Sequence, residues 1–418
     1  MKRLRQYFEY DRINFEREAF TLDEIKSLQA FSDKTSYYDL TYGGIRFKEF
    51  VGVLQVGSLT IEVLPKIDRD DQEKGKWRNI LLDMLKECRL LHPETTGFAD
   101  LRLRANSILE LYFELFLSEI NDLLRQGLIK RYRVEADNQY ALKGRLLFNE
   151  QIRENMIHAE RFYTEHTVYD QHHQIHHVLG KALRVIADLA GESHTGVKAA
   201  AVLQNWPEND KLVVTEQTFS RFQLTRKTQS YQAAWQIARL ILLNYHPDLR
   251  QGKTNVLALM FDMNMLWEKF VYNRIRSAAK GLGWFVSDQR EYKYWKGDTG
   301  TKKLIPDILI ELVDGRKIVL DTKWKRPVDD KPDDHDLRQI LAYKLYFKGD
   351  HAYLLYPCYK KDSFCVDGKF EPKSYDDIDL VFRNEFTLKG GQMFLNLLDD
   401  DKLITKTAFA KMFLQFIK

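Results

Sequence analysis

Apolar and polar positions change period several times along this chain, and each change predicts an element. Residues 72–91 and 105–128 carry apolar side chains at helical spacing, as do residues 195–205 and 230–244. Spacing of three and four residues puts those side chains on one helix face. Residues 151–245 therefore read as mostly helical, with an apolar helix over 178–187. Residues 262–280 form another amphipathic helix, stopped by Gly281 and Gly283, and 333–347 a further one. Between residues 42 and 66 the period falls to two. This predicts a β-meander, with Gly52 and Gly57-Ser58 as turn or bulge points and Pro65 ending the last strand. A strand is also expected over residues 351–356.

The sharpest alternation lies between residues 303 and 325. Ile305, Asp307, Leu309 and Glu311 face one way, and Leu304, Ile308, Ile310 and Leu312 the other. Beyond Asp314-Gly315, Val319, Asp321 and Lys323 alternate with Ile318, Leu320, Thr322 and Trp324. Asp-Gly between two alternating runs predicts a hairpin. Its register decides the chemistry. A two-residue loop would pair Asp307 with Thr322 and turn Asp321 to the opposite face. A three-residue loop, with Gly315 left-handed, pairs Leu312 with Arg316 and so Asp307 with Asp321. We expect the three-residue loop. Directly opposed side chains lie roughly 5 Å apart at Cβ, within reach of one shared hard cation. Two carboxylates so placed require a metal or a raised pKa.

Pro306-Asp307 followed by Asp321-Thr322-Lys323 resembles the PD-(D/E)XK nuclease superfamily. The resemblance implies that Asp307 and Asp321 hold magnesium (Mg2+), with Mn2+ as a substitute, and that the Thr322 backbone carbonyl adds a ligand. Lys323 would orient or activate the attacking water and stabilise charge developing on a phosphate. Glu268, on the preceding helix, is a supporting candidate. Gln339 and Tyr343, one helical turn apart, would touch substrate or order the lysine. Mg2+ suits this donor set, because it prefers a few carboxylates plus water and phosphate oxygens. The order helix, strands, helix, strand is the one such a nuclease core needs.

A second set of motifs narrows the family. Residues 51–68 (VGVLQVGSLTIEVLPKID), Leu142-Lys143-Gly144-Arg145-Leu146, residues 263–270 around Trp267 and Glu268, and residues 339–343 (QILAY) occur in one order. Together they resemble the McrC family, the nuclease subunits of McrBC-type modification-dependent restriction systems. By that resemblance the chain is an α/β (α+β overall) protein. An N-terminal β-rich adaptor region with helices would cover residues 1–150, a mostly helical region 151–250, and a PD-(D/E)XK restriction-endonuclease-like domain 251–418. Residues 246–252 would link the last two. The partners implied are a McrB-type AAA+ GTPase hexamer, stimulated by this chain with residues 42–66 as the contact region, and double-stranded DNA. Methylated bases would be recognised by the partner, and a homodimer through the nuclease domains would supply one site per strand. A stand-alone repair nuclease and a non-catalytic adaptor are the competing functions.

Composition agrees with this reading. At 418 residues and 44% apolar content the chain can build two or three cores. No apolar run approaches the ~20 residues needed to cross a bilayer. The N-terminus has basic residues without an apolar stretch behind them, which argues against secretion. Cys88, Cys358 and Cys365 lack metal-site spacing, and so few cysteines suit the cytoplasm. With a net charge of only +4, DNA binding has to use local basic patches or another subunit. One candidate patch is the basic and aromatic stretch from Arg125 to Phe148, read against a solvated strand face. Two motifs are set aside. Gly252-Lys253-Thr254 ends like a phosphate loop but has Pro247 where the first glycine belongs, so no nucleotide is expected on this chain. The run from His172 to His177 has zinc-like i,i+4 pairs, yet it leads into an apolar helix and reads as a polar helix start.

Overall fold

The computed structural model describes residues 3–67, 72–91, 101–102, 105–207, 213–247, 255–297, 300–325, 327–358, 363–370, 389–399 and 401–417. The phosphate-loop-like triplet and most of the 246–252 linker fall outside these residues. The chain is mixed α/β and forms two compact units, Met1–Pro93 with Met260–Lys418, and Glu94–Leu259. Consecutive division at residues 150 and 250 does not follow these units. The first and last parts of the chain share one core, because helix Lys74–Glu87 packs on helix Met263–Ala278. Between them the buried Arg274 guanidinium lies 2.8 Å from Glu87, and Asn273 Nδ2 donates to the Glu87 carbonyl at 3.2 Å.

In the first unit, strand Arg3–Phe8 runs parallel to Leu59–Leu64, which turns back on Phe50–Val56 through Gly57-Ser58. All of Leu59–Leu64 is buried, and so is Phe50–Val56 beyond its first residue. The expected meander is split. Gly44–Phe47 pairs with Tyr38–Thr41 and Arg12–Asn14 in a separate small sheet.

The C-terminal part of this unit is a six-stranded sheet in the order Phe285–Asp288, Ile308–Glu311, Lys317–Thr322, His351–Cys358, Lys389–Asn396, Phe364–Lys369. The first three strands are antiparallel, and the next two add in parallel. Helix Asp334–Phe347 is the crossover between Lys317–Thr322 and His351–Cys358, as parallel neighbours require. Its Asp333 cap accepts from His335 N at 2.8 Å. Ile340, Tyr343 and Phe347 of this helix pack against Val319, Leu354 and Phe394. The long run expected over 303–312 is broken at Pro306, which has no amide to donate. Its first part, Gly300–Leu304, pairs instead with Tyr292–Gly297.

In the second unit, helices Ile108–Gln126, Gln174–Ala190, His194–Gln204 and Gln232–Leu243 have the predicted amphipathic faces. Phe162–Asp170 corrects the helical reading of 151–245. It is a nine-residue strand between Arg131–Gln139 and Arg145–Leu146, and its Phe162, Thr164, His166, Val168 alternation signalled as much. Gly144 sits at φ +80, where an added Cβ would lie 2.3 Å from the Glu165 carbonyl oxygen, so this motif position needs glycine. The histidine run starts a helix, with the His173 ring accepting from Ile175 N. His176 is buried between the Gln171 carbonyl (2.7 Å) and the Tyr231 hydroxyl (3.1 Å). Burial lowers its pKa to about 4, so it is a neutral core group.

The hairpin turn makes a direct prediction. Gly315 lies at φ +88 with open space around its Cα, so Gly315→Ala should cost only the left-handed backbone strain, about 1–2 kcal/mol. Urea unfolding measures it, and a change below a few tenths would contradict the turn.

Candidate active site

Between Ile308–Glu311 and Lys317–Thr322, the Leu312–Arg316 pair encloses a three-residue loop, 313–315. Leu312 N donates to the Arg316 carbonyl at 2.9 Å and Gly315 N to the Leu312 carbonyl at 3.1 Å. The ladder then pairs Glu311 with Lys317 and Ile308 with Leu320. One step further, that register sets Asp307 opposite Asp321. Asp307 Oδ2 accepts from both the Thr322 amide (2.7 Å) and the Thr322 hydroxyl (2.8 Å). The Thr322 side chain, whose role the sequence did not suggest, therefore fixes one acid of the pair.

Lys323 lies 2.8 Å from Asp321 Oδ2 and 3.4 Å from Asp336 Oδ1, and donates to Gln339 Oε1 at 3.1 Å. Gln339 Nε2 donates to the Tyr343 hydroxyl (2.9 Å), which donates to the Ile305 carbonyl (2.8 Å). The two helix residues thus form a chain from the lysine back to the strand entrance, two residues before Asp307. Glu268 accepts from Gln289 Nε2 at 2.6 Å, and Gln289 N donates to the Asp307 carbonyl at 3.3 Å. Sequence reasoning missed Gln289 and Asp336. Gln289 adopts φ +45, an uncommon conformation that no pattern announces. Asp336 looks like an ordinary first-turn acid, but it is 5% exposed and also pairs with Lys325 at 2.6 Å.

Acids outnumber cations in this patch, and their protonation shows it. Burial first, then the Asp307 charge, pushes the Asp321 pKa up to about 7. Burial raises Asp307 too, against the Thr322 hydrogen bonds that oppose it. Burial and Asp307 push Glu268 up to about 7. For Lys323, burial favours the neutral amine, but Asp321, Asp336 and Asp307 outweigh it and the net shift is upward. The lysine is therefore a fixed ammonium, suited to facing negative charge rather than accepting a proton.

Among the described residues, no group of three or more His, Cys, Asp or Glu is assembled as a metal cage. The arrangement offers a buried carboxylate, Asp321, and a half-buried one, Asp307, in register, with Glu268 held nearby by Gln289. An oxygen-only pair with unmet negative charge fits a hard divalent cation that keeps water and takes further oxygens from substrate.

A mixed sheet, paired acids and a lysine are thus on one unit of the chain, and the comparisons with known proteins give its family. The McrBC 5-methylcytosine restriction system component model matches residues 45–357. That is more than half of the chain, which belongs to this family and is a component of the McrBC type of restriction system. The McrC resemblance read from the ordered motifs is borne out. Among solved structures, the chain is similar to one in the refined half-complex from a tetradecameric assembly of Thermococcus gammatolerans McrB AAA+ hexamers with bound McrC. The TM-score is 0.69 at 15% identity, over 99% of this chain and 100% of that one. It is also similar to one in the cryo-EM structure of the Thermococcus gammatolerans McrBC complex, with TM-score 0.51 and 15% identity over 70% and 89% of the two chains. At this identity the likenesses show the fold alone. No curated protein matches in sequence.

The raised carboxyl pKa values predict pH-dependent cation binding. Asp321, at about 7, keeps in the folded chain a proton that an unfolded aspartic acid loses near pH 4. The stability from that proton is complete below the unfolded value and is lost as pH rises through about 7. A cation must displace the proton, so Mg2+ should bind roughly tenfold tighter at pH 8 than at pH 6. Thermal shift against Mg2+ at the two pH values tests this, and equal affinities would rule out a proton held at this pair.

Proposed function

We propose that this chain is the Mg2+-dependent DNA endonuclease subunit of its McrBC-type system, with a PD-(D/E)XK core. The observation that carries the reading is the Asp307–Asp321 pair in register with Lys323 pinned beside it. Asp307 and Asp321, with the Thr322 carbonyl as a further oxygen, would hold the cation. Mg2+, when bound, supplies a Lewis acid and lowers the pKa of a water. Lys323 Nζ, permanently charged, faces the negative charge that develops on the phosphate. Gln339 and Tyr343 hold that ammonium in place, so little reorganisation accompanies the reaction. Glu268, near-neutral in pKa, can hold or release a proton at its carboxyl as pH changes.

The adaptor role is proposed with a changed contact region. Strands Phe50–Val56 and Leu59–Leu64 are core, so most of residues 42–66 cannot meet a partner, although Tyr42 in the preceding turn is 98% exposed. The sheet of the second unit offers more: Tyr132, Tyr140, Leu142, Phe148 and Tyr169 are all exposed. Its arginines are largely neutralised. Arg133 pairs with Asp170 and Glu135, and Arg145 with Glu165. Apolar side chains among paired charges favour a protein surface over a nucleic-acid path, and the AAA+ GTPase partner is the occupant proposed. Among the described residues no helix is long and apolar enough to cross a membrane.

The test is cleavage of methylated DNA in Mg2+ alongside GTP hydrolysis by the AAA+ partner. Asp321→Ala should reduce cutting by several kcal/mol of transition-state stabilisation, on the order of a thousandfold, by removing a cation ligand. Lys323→Ala should do the same while Mg2+ still shifts the melting temperature. Both should stimulate the GTPase as the unaltered chain does. Normal cutting by Lys323→Ala would refute the catalytic assignment. Mg2+-dependent cutting by this chain alone, without effect on the GTPase, would leave the nuclease and remove the adaptor.

A further inference from the structure

Among the described residues, the strands Tyr292–Gly297 and Gly300–Leu304 pair only with each other, outside the six-stranded sheet. Both ends of this hairpin are tied to the candidate active site. At its start, Gln289 bridges Glu268 and the Asp307 backbone. At its end, the Ile305 carbonyl takes the Tyr343 hydroxyl that orders Gln339 and Lys323. The base is packed. Tyr292 meets Phe347 edge-on at 4.7 Å, Leu304 packs on the same core, and Tyr346 donates to the Lys293 carbonyl at 3.0 Å.

The outer part of the hairpin has the opposite character. Lys293, Tyr294, Trp295, Lys296, Lys302 and Lys303 are all exposed. Residues 290–304 hold five basic side chains against Glu291 and Asp298. The register places Lys293 directly opposite Lys303 and Trp295 opposite Lys302. Like charges opposed across a strand pair repel, and only Lys303 has an ion-pair partner among the described residues, Glu291. Lys293, Lys296 and Lys302 have none there. This is the reverse of the second unit's sheet, where Arg133 and Arg145 are matched by acids. A chain with a net charge of only +4 has gathered unmatched lysines on an arm rooted at two acids and a lysine.

We propose that the hairpin Tyr292–Leu304 is a duplex-DNA-binding arm that grips the backbone beside the phosphate to be cut. This inference rests on the nuclease reading above and adds a partner surface to it. Lys293, Lys296 and Lys302 would contact phosphates, and Tyr294 and Trp295 would lay their flat faces on the adjoining sugars and base edges. Because the arm's roots hold Asp307 and the Gln339–Lys323 chain, strand position and catalytic geometry would be set by the same element.

The experiment measures binding of the full-length chain to a fluorescein-labelled duplex by anisotropy, without divalent cation, across a KCl series. The triple variant Lys293→Gln, Lys296→Gln, Lys302→Gln should bind roughly tenfold more weakly or worse, and its log–log salt slope should be shallower by about 2–3, close to 0.9 per lost phosphate contact. Trp295→Ala should lose affinity with the slope unchanged. The Mg2+ thermal shift and GTPase stimulation of the triple variant should match the unaltered chain, which shows that the fold and the acid pair are intact. An unchanged affinity and slope in the triple variant, while the unaltered chain binds and cuts, would overturn the arm and leave the nuclease. Loss of GTPase stimulation with DNA binding retained would make the hairpin a protein contact and overturn the arm as well. Failure of the unaltered chain to bind or cut DNA, alone and with its partner, would remove both readings.

Discussion

Two carboxylates facing each other across adjacent strands repel, and the geometry around Asp307 and Asp321 follows from that conflict. A buried acid pair survives in a fold when its charge is partly met, partly protonated, or shared with a cation. The first two apply here. Thr322 donates twice to Asp307, Lys323 approaches Asp321, and burial holds the Asp321 pKa near neutrality, at about 7. A cation binding there would replace a proton the site already retains. The lysine, held by Gln339, is favoured as an ammonium because the surrounding acids raise its pKa against the effect of burial. The same excess of acid that makes the site costly to fold is what suits it to a divalent metal.

The N-terminal strands help to hold this patch in place. Trp324 directly follows Lys323, and its indole N–H donates to Glu9 Oε1 at 2.7 Å. The Lys66 amide donates to the same oxygen at 2.8 Å. Glu9 is buried, and its pKa is pushed up to about 8 by that burial, so it sits as a largely neutral acid at pH 7. Trp267 lies 5.7 Å from Trp324, and its own indole N–H reaches the Leu355 carbonyl. The tryptophan in the helix motif is therefore a wall behind the site, one residue from Glu268. This packing gives a physical reason why the first 93 residues belong with the last part of the chain.

Charge is distributed differently on the chain's two exposed aromatic surfaces. On the second unit's sheet, acids meet Arg133 and Arg145 and leave an apolar face with a muted field. On the hairpin beside the candidate active site, lysines stand next to lysines, and among the described residues only Lys303 has an acid partner. Sequence composition treats both as basic and aromatic, and the 125–148 stretch was weighed as a nucleic-acid path against a solvated strand face. Cross-strand pairing distinguishes the two surfaces, because a cation already matched by a carboxylate gains little from a phosphate.

Local signals were enough for the parts of this protein governed by near neighbours. Helix Asp334–Phe347 and its cap, helix Met263–Ala278 after Asp262, and the three-residue turn at Gly315 all follow from side-chain spacing and backbone preference within a few residues. The turn in turn sets the Asp307–Asp321 register. Residues whose roles depend on distant chain segments were invisible. Gln289 acts through Glu268 and Asp307, Asp336 through two lysines, and Glu9 through a tryptophan more than three hundred positions away. The 303–312 run looked continuous because alternation carries across Pro306, yet a proline cannot donate to the ladder and its first half found another partner. The sequence by itself determined the alternation, the turn and the motif order, since those are short-range properties of the backbone and its side chains. Tertiary structure alone decided which strands paired, which charges were already matched, and which protons the buried acids keep, because pairing partners and desolvation arise only when remote segments pack together.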